Sequence, residues 1–270
     1  MSGVKKYFYF TGLPRCGNTL LSAILNENSD IFATGHSFLP DLFFSIKNSE
    51  QNSVRFKNYP CKNNLKNIYK NIIPNYYKDN NSKYIIERGD WITPYNFNII
   101  KENVPNKLKI VILVRDVLEI IKSFLKLCKN NPNFFINKIY ESLDHTTLFT
   151  DEIETKCDLI MDKHQYVNTM LFSIYQLKKN KQIKDFLIID YNDLVKNYKT
   201  TIDKIYDYYE IPTFNHNFKN FKNELIYNDF VLGADMHKIR TDKIKKLNNN
   251  IILPQNVINK YKHLNSILFD

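Results

Sequence analysis

A three-layer α/β/α domain built on a central parallel sheet is the architecture this sequence predicts, and two observations predict it. Four short apolar runs, "KKYFYFTG" (5–12), "KYIIE" (83–87), "LKIVILV" (108–114) and "FLIID" (186–190), have the length and the β-branched and aromatic content of buried strands. Long stretches of helical periodicity separate them, the alternation that yields a parallel sheet covered on both faces.

The elements follow in chain order. After the first strand, "TLLSAILNEN" (19–28) reads as a helix whose inner face is Leu20, Leu21, Ile24 and Leu25. After the third strand, "RDVLEIIKSFLKLC" places Val117, Ile120, Ile121, Phe124, Leu125 and Cys128 on one stripe, leaving Ser123 on the polar side with Asp116, Glu119 and Lys126. Residues 129–180 read as further helix, clearest at "YVNTMLFSIYQLKK". One helix over 191–209 buries Leu194, Val195, Tyr198, Ile202 and Ile205 and stops at "EIP". Beyond 212 the chain is polar and loop-rich until "LPQNVINKYKHL" (253–264). No repeat or domain-splitting linker interrupts this order, so residues 1–270 are read as one domain.

Composition narrows the function classes. The chain of 270 residues is 43% hydrophobic and 24% charged, with a mean hydropathy of −0.41, ordinary values for a soluble globular protein. No apolar run is long enough to span a bilayer, and no cleavable apolar leader follows the N-terminus. The four cysteines, Cys16, Cys61, Cys128 and Cys157, form no metal-binding spacing, which points to a reducing, cytoplasmic protein without a metal site. The net charge of +10 comes mostly from dispersed lysines. That pattern argues against nucleic acid and stays compatible with a polyanionic small molecule.

The stretch "YFYFTGLPRCGNTLL" (7–21) carries the chemistry. A strand, a glycine-containing turn and a helix in that order aim backbone N–H groups outward at a helix N-terminus, a geometry that favours an anion. The stretch nearly fits the phosphate-binding pattern G-x-x-x-x-G-K-[ST], but Asn18 stands where the lysine belongs and the loop's cation is Arg15.

The pattern L-P-R-x-G-x-T-L-L resembles the phosphosulfate-binding loop of the sulfotransferase superfamily, enzymes that use 3′-phosphoadenosine 5′-phosphosulfate (PAPS) on a P-loop-like fold. Cys16 replaces the usual serine and Asn18 the first threonine, while Arg15, Gly17 and Thr19 match. "ILVRDVLEIIKS" resembles the family's 3′-phosphate segment, with Arg115 at a strand end and Ser123 on the next helix. Strand ends are where ligands of open α/β sheets sit, and a guanidinium fork with a hydroxyl suits a phosphate. The plainer alternative pairs Arg115 with Asp116 or Glu119 and leaves Ser123 solvated. "YNDL" resembles the segment whose tyrosine, here Tyr191, approaches the nucleotide. "GADMHKIRTDKIKK" (233–246) resembles the basic loop over the 3′-phosphate, with His237, Lys238 and Arg240 as candidate contacts and Arg240 preferred.

The resemblance implies a soluble member near the bacterial and tyrosylprotein-type branch. It implies sulfuryl transfer to a hydroxyl acceptor: a sugar, a peptide tyrosine or a small alcohol. The amides of Gly17 to Leu20 and the Thr19 hydroxyl would hold the phosphosulfate, Arg15 would meet charge on the leaving oxygen, and no metal is needed. For the general base, Glu87 in "YIIERGDW" resembles the glycosaminoglycan-modifying branch, with Arg88 standing in for that branch's lysine. His36 in "FATGHSFLPDLF" is its rival by resemblance to the tyrosylprotein branch, and Asp90 is a third candidate. Two other readings stay open. A nucleotide-dependent kinase would use Asp190 to hold magnesium, and an inactive binding module would keep only the fold.

Overall fold

The computed structural model describes residues 5–103, 108–144, 150–218, 225–239, 244 and 250–269. Among these, five strands form one fully parallel sheet: β1 (Lys6–Gly12), β2 (Ile31–Ala33), β3 (Tyr84–Arg88), β4 (Ile110–Val114) and β5 (Leu187–Asp190), in the order β2-β3-β1-β4-β5. The four strands read from sequence are present, with ends shifted by a residue or two. The strand not read, β2, has three residues and pairs only with β3. It is too short to display a period.

Helix α1 (Asn18–Leu25) follows β1. Three helices fill the stretch after β2, α2 (Leu39–Asn52), α3 (Val54–Asn58) and α4 (Lys62–Tyr76), and α5 (Pro94–Asn103) leads from β3 towards β4. Helix α6 (Val117–Asn130) buries the stripe read from the sequence and starts on an Asp116 cap, whose carboxylate accepts the Glu119 N–H at 3.0 Å. Then come α7 (Phe135–Glu141), α8 (Glu152–Ile160) and α9 (Tyr166–Lys179). The single helix expected over 191–209 is two, α10 (Tyr191–Lys196) and α11 (Tyr198–Tyr209), because Asn197 leaves helical geometry at φ −115, ψ 35. Tyr198 is consequently only half-buried, and Tyr206 and Tyr209 fill the core in its place. The chain closes with α12 (Gln255–Tyr261) and α13 (Ser266–Phe269). No helix among the described residues is long and apolar enough to cross a membrane.

Alternation along the strands assigns side chains to two faces. Tyr9 and its β3 neighbour Glu87 share one face, where Tyr9 meets Trp91 at 5.1 Å and Trp91 meets Phe43 of α2 at 5.9 Å. Phe10 and its neighbour Arg88 share the other, with Phe8, whose ring meets Tyr209 of α11 at 4.8 Å. The C-terminal ends of β1, β3, β4 and β5 lie along one edge of the parallel sheet, the edge from which the turn with Arg15 and the residue Arg115 leave.

Candidate active site

The turn after β1 is held in an uncommon backbone form. Arg15 has φ 65 and Gly17 φ 85, both left-handed. Such a conformation costs a non-glycine residue about 1–2 kcal/mol, so neighbouring groups must hold Arg15 there. Gly17 is required twice over, by its φ and because a Cβ would lie 3.0 Å from Leu194 and 3.2 Å from Tyr191. The turn leaves the first N–H groups of α1 without helical partners. Asn18 does not face them. Its amide donates to the Leu13 carbonyl at 2.9 Å and the residue is 6% exposed, so it cannot supply the counter-charge of the missing lysine.

Arginines supply that charge. Arg15 Nε donates to Ser123 Oγ at 3.0 Å, and its NH1 donates to the Met236 carbonyl at 2.7 Å. Arg115 NH1 donates to the Arg15 carbonyl at 2.8 Å, and its guanidinium lies over the Tyr191 ring, 4.3 Å from the centroid. Arg115 also meets Glu119 at 3.6 Å, the pairing named as the plainer alternative. That pairing leaves capacity over: Arg115 is 6% exposed and its Nε has no hydrogen-bond partner. A buried, unpartnered guanidinium N–H beside a second arginine, a hydroxyl and an aromatic face fits a phosphate group.

A second cluster lies on the other flank of Thr19. Arg88 NH1 donates to Thr19 Oγ1 at 3.2 Å. Asp90 accepts from the Tyr166 hydroxyl at 2.5 Å. Burial raises its carboxyl above the ordinary range, against Tyr166, His36 and Arg88. Desolvation and the charges of Arg88 and His237 push the His36 imidazole below its ordinary range, against Asp90 and Asp41, although the residue is exposed. Opposite, the His237 ring stacks on Tyr227, with centroids 4.1 Å apart and planes at 6°, and its Nδ1 lies 2.5 Å from Asp229.

The model of the sulfotransferase family matches residues 8–216, more than half of the chain. The chain belongs to the sulfotransferase family. The fold agrees with two solved structures. The sulfotransferase domain from the curacin biosynthetic pathway aligns at a TM-score of 0.58 with 13% identity, over 98% of each chain. The sulfotransferase domain of the Synechococcus PCC 7002 olefin synthase aligns at 0.50 with 13% identity, over 99% of this chain and 96% of that one. No curated relative matches the sequence.

In this sulfotransferase the structure gathers Arg15, Gly17, Arg115, Ser123 and Tyr191 into one cluster, with Leu20 on the helix behind the turn. Thr19, His36 and Asp90 join the second. Cys16 faces the core, fully buried. Arg240 lies outside the described residues. Glu87 is brought to neither cluster. Alternation turns it to the face opposite Arg88, where it is 0% exposed and accepts a hydrogen bond from the Tyr77 hydroxyl. Burial raises its carboxyl to about 7, against the hydroxyls of Ser37, Tyr77 and Thr34. Glu87, expected as the base, thus lies apart from both clusters, on the strand face opposite Arg88. Asp190 is also engaged elsewhere, capping α10 by accepting the Asn192 N–H at 2.6 Å, which speaks against a magnesium role.

Tyr166, Tyr227 and Asp229 carry no local pattern in the sequence that marks them, and nothing in the 233–246 stretch marks Met236 as the residue that meets Arg15. Each is brought in by chain folding over long separations. The cysteines give a simple check on the packing. Cys16, Cys128 and Cys157 are buried, and burial raises Cys128 to about 11 and Cys157 to about 12, while Cys61 is exposed. Thiolate chemistry requires access and ionisation. A thiol-disulfide titration of the native sulfotransferase should therefore count one reactive thiol promptly and four after denaturation.

Proposed function

We propose that the chain transfers a sulfuryl group from PAPS to a hydroxyl acceptor. The observation that carries the reading is the junction of two distant segments: Arg15 on Ser123, and Arg115 on the Arg15 carbonyl, with Arg115 Nε left unpartnered. One nucleotide with an anion at each end suits such a pair of cationic groups. When bound, PAPS supplies an activated sulfuryl group on a phosphate leaving group. The chain's own part is positioning and electrostatics. The N–H groups opening α1 and the Thr19 hydroxyl hold the phosphosulfate end, and Arg15 meets the charge that grows on the leaving oxygen. Arg115 and Ser123 hold the 3′-phosphate against Tyr191, which selects PAPS over ATP. Arg88, donating to Thr19, marks the acceptor side, and the acceptor is a sugar, a tyrosine or a small alcohol. The four free cysteines suit the reducing cytoplasm.

The kinase reading requires a lysine-like charge and a magnesium carboxylate, and Asn18 and Asp190 are both committed elsewhere. Calorimetry separates the two. Adenosine 3′,5′-bisphosphate (PAP) is expected to bind in the presence of a metal chelator, at least tenfold more tightly than ATP with magnesium. The reverse order would favour the kinase. Tight PAP binding with no transfer of label from PAPS to any of a panel of hydroxyl acceptors would favour an inactive module.

A further inference from the structure

Resting on the donor reading above, we infer that His237 is the base that takes the acceptor's proton, with Asp229 as its positioning residue. Both lie beyond residue 216, where the family match ends.

The ring is held on more than one side. His237 Nδ1 meets Asp229 Oδ1 at 2.5 Å, and the other carboxylate oxygen accepts the His237 backbone N–H at 2.8 Å. The face is fixed by the parallel Tyr227 ring at 4.1 Å. The preceding residue, Met236, gives its carbonyl to Arg15 at 2.7 Å, so one peptide unit ties the imidazole to the cation of the turn. An ionised carboxylate only accepts hydrogen bonds, so the ring proton sits on Nδ1 and Nε2 keeps a free lone pair. The charged and titratable groups facing the ring are Asp229, Arg88, Arg15, His36 and the stacked Tyr227. Desolvation, helped by the Arg88 and Arg15 charges, lowers the imidazole below its ordinary pKa, against Asp229. A neutral imidazole oriented by a carboxylate is what proton abstraction requires.

The other candidates lack one requirement each. Glu87 faces the opposite side of the sheet. Asp90 is committed to the Tyr166 hydroxyl. His36 has no hydrogen bond fixing its ring among the described residues, so nothing selects its tautomer. In the step itself, His237 Nε2 takes the hydroxyl proton as the acceptor oxygen forms its bond to sulfur. The bond from sulfur to the phosphate oxygen breaks and its electron pair leaves on that oxygen. The imidazolium then releases its proton to water.

The test uses the whole chain labelled with nitrogen-15 in its 6 histidines, assigned with His237→Gln and observed with saturating PAP at neutral pH. The expected spectrum shows His237 protonated at Nδ1 and bare at Nε2, and PAP affinity in His237→Gln stays within about threefold of the parent. In Asp229→Asn the Nε2-protonated tautomer rises, a change that a merely structural carboxylate would not produce. With labelled PAPS and a pooled panel of sugar, phenol and alkyl hydroxyls, His237→Gln lowers turnover by about a hundredfold or more. A doubly protonated His237 in the PAP complex, or a tenfold loss of PAP affinity in His237→Gln, would make it an anion ligand and overturn the proposal. Unchanged turnover in that variant overturns it as well. Failure of the parent chain to bind PAP is a separate outcome, which removes the donor reading and this assignment together.

Discussion

Arg115→Ala is expected to weaken PAP binding by about 1.5–3 kcal/mol, the range for a hydrogen bond to a charged group, or roughly ten- to a hundredfold in Kd. Two effects combine. The side chain is buried with an unpartnered Nε, so the folded chain already carries the desolvation cost of a donor that a phosphate oxygen would satisfy. Its NH1 also braces the Arg15 carbonyl at 2.8 Å. Without that brace, the left-handed Arg15 backbone and the N–H groups it aims lose support. Affinity for ATP should fall much less, because ATP has no 3′-phosphate for this guanidinium to hold, so the ratio of the two constants is the sensitive readout. Ser123→Ala removes a neutral partner of Arg15 and should cost about 1 kcal/mol. Thermal unfolding of each variant distinguishes a weakened ligand site from a damaged fold. An unchanged PAP affinity in a folded Arg115→Ala protein would remove the two-segment nucleotide site.

Glu87→Gln should change stability strongly and turnover hardly at all. The Glu87 carboxyl titrates at about 7 in the folded chain against an ordinary 4.5. Between those values the folded state holds the extra proton. The contribution of this group to stability is therefore complete below about pH 4.5 and is lost as the pH rises through about 7. The interval corresponds to about 3 kcal/mol by proton linkage. Glutamine keeps the shape and cannot ionise. The variant should match the parent near pH 4.5 and unfold at a higher temperature at pH 8, by roughly 8 °C for a chain of this size. Activity at saturating substrate should stay within about twofold, whereas loss of a true general base costs about a hundredfold or more. A hundredfold loss would restore Glu87 to the reaction, and a parent chain more stable at pH 8 than at pH 5 would refute the buried-carboxyl account.

These two residues show where reading along the chain succeeds and where it stops. The spacing from Arg115 to Ser123 is local: a strand end followed by two helical turns fixes their relation whatever else packs nearby. The Arg15 turn is outlined locally by Gly17 and the helix behind it, although Arg115 braces it from 100 positions away. Glu87 and Arg88 are neighbours in sequence, and the strand sends them to opposite faces. Which face meets the turn depends on where α1 and α11 pack, and no residue between 84 and 91 records that. The short edge strand Ile31–Ala33 and the break at Asn197 were hidden for a related reason: three residues show no period, and an apolar stripe can cross a break without a change of pattern.

The sequence by itself determined four of the five strands, the glycine turn with Arg15 and the spacing of the arginine–serine pair, because periodicity and turn chemistry act over a few residues. The tertiary structure alone decided which side chains gather around the turn. Arg15 meets the Met236 carbonyl across 221 positions, and that hydrogen bond carries His237 to the turn. Pairings of such separation are set by packing of the whole sheet, and each segment's local pattern is silent about its partner.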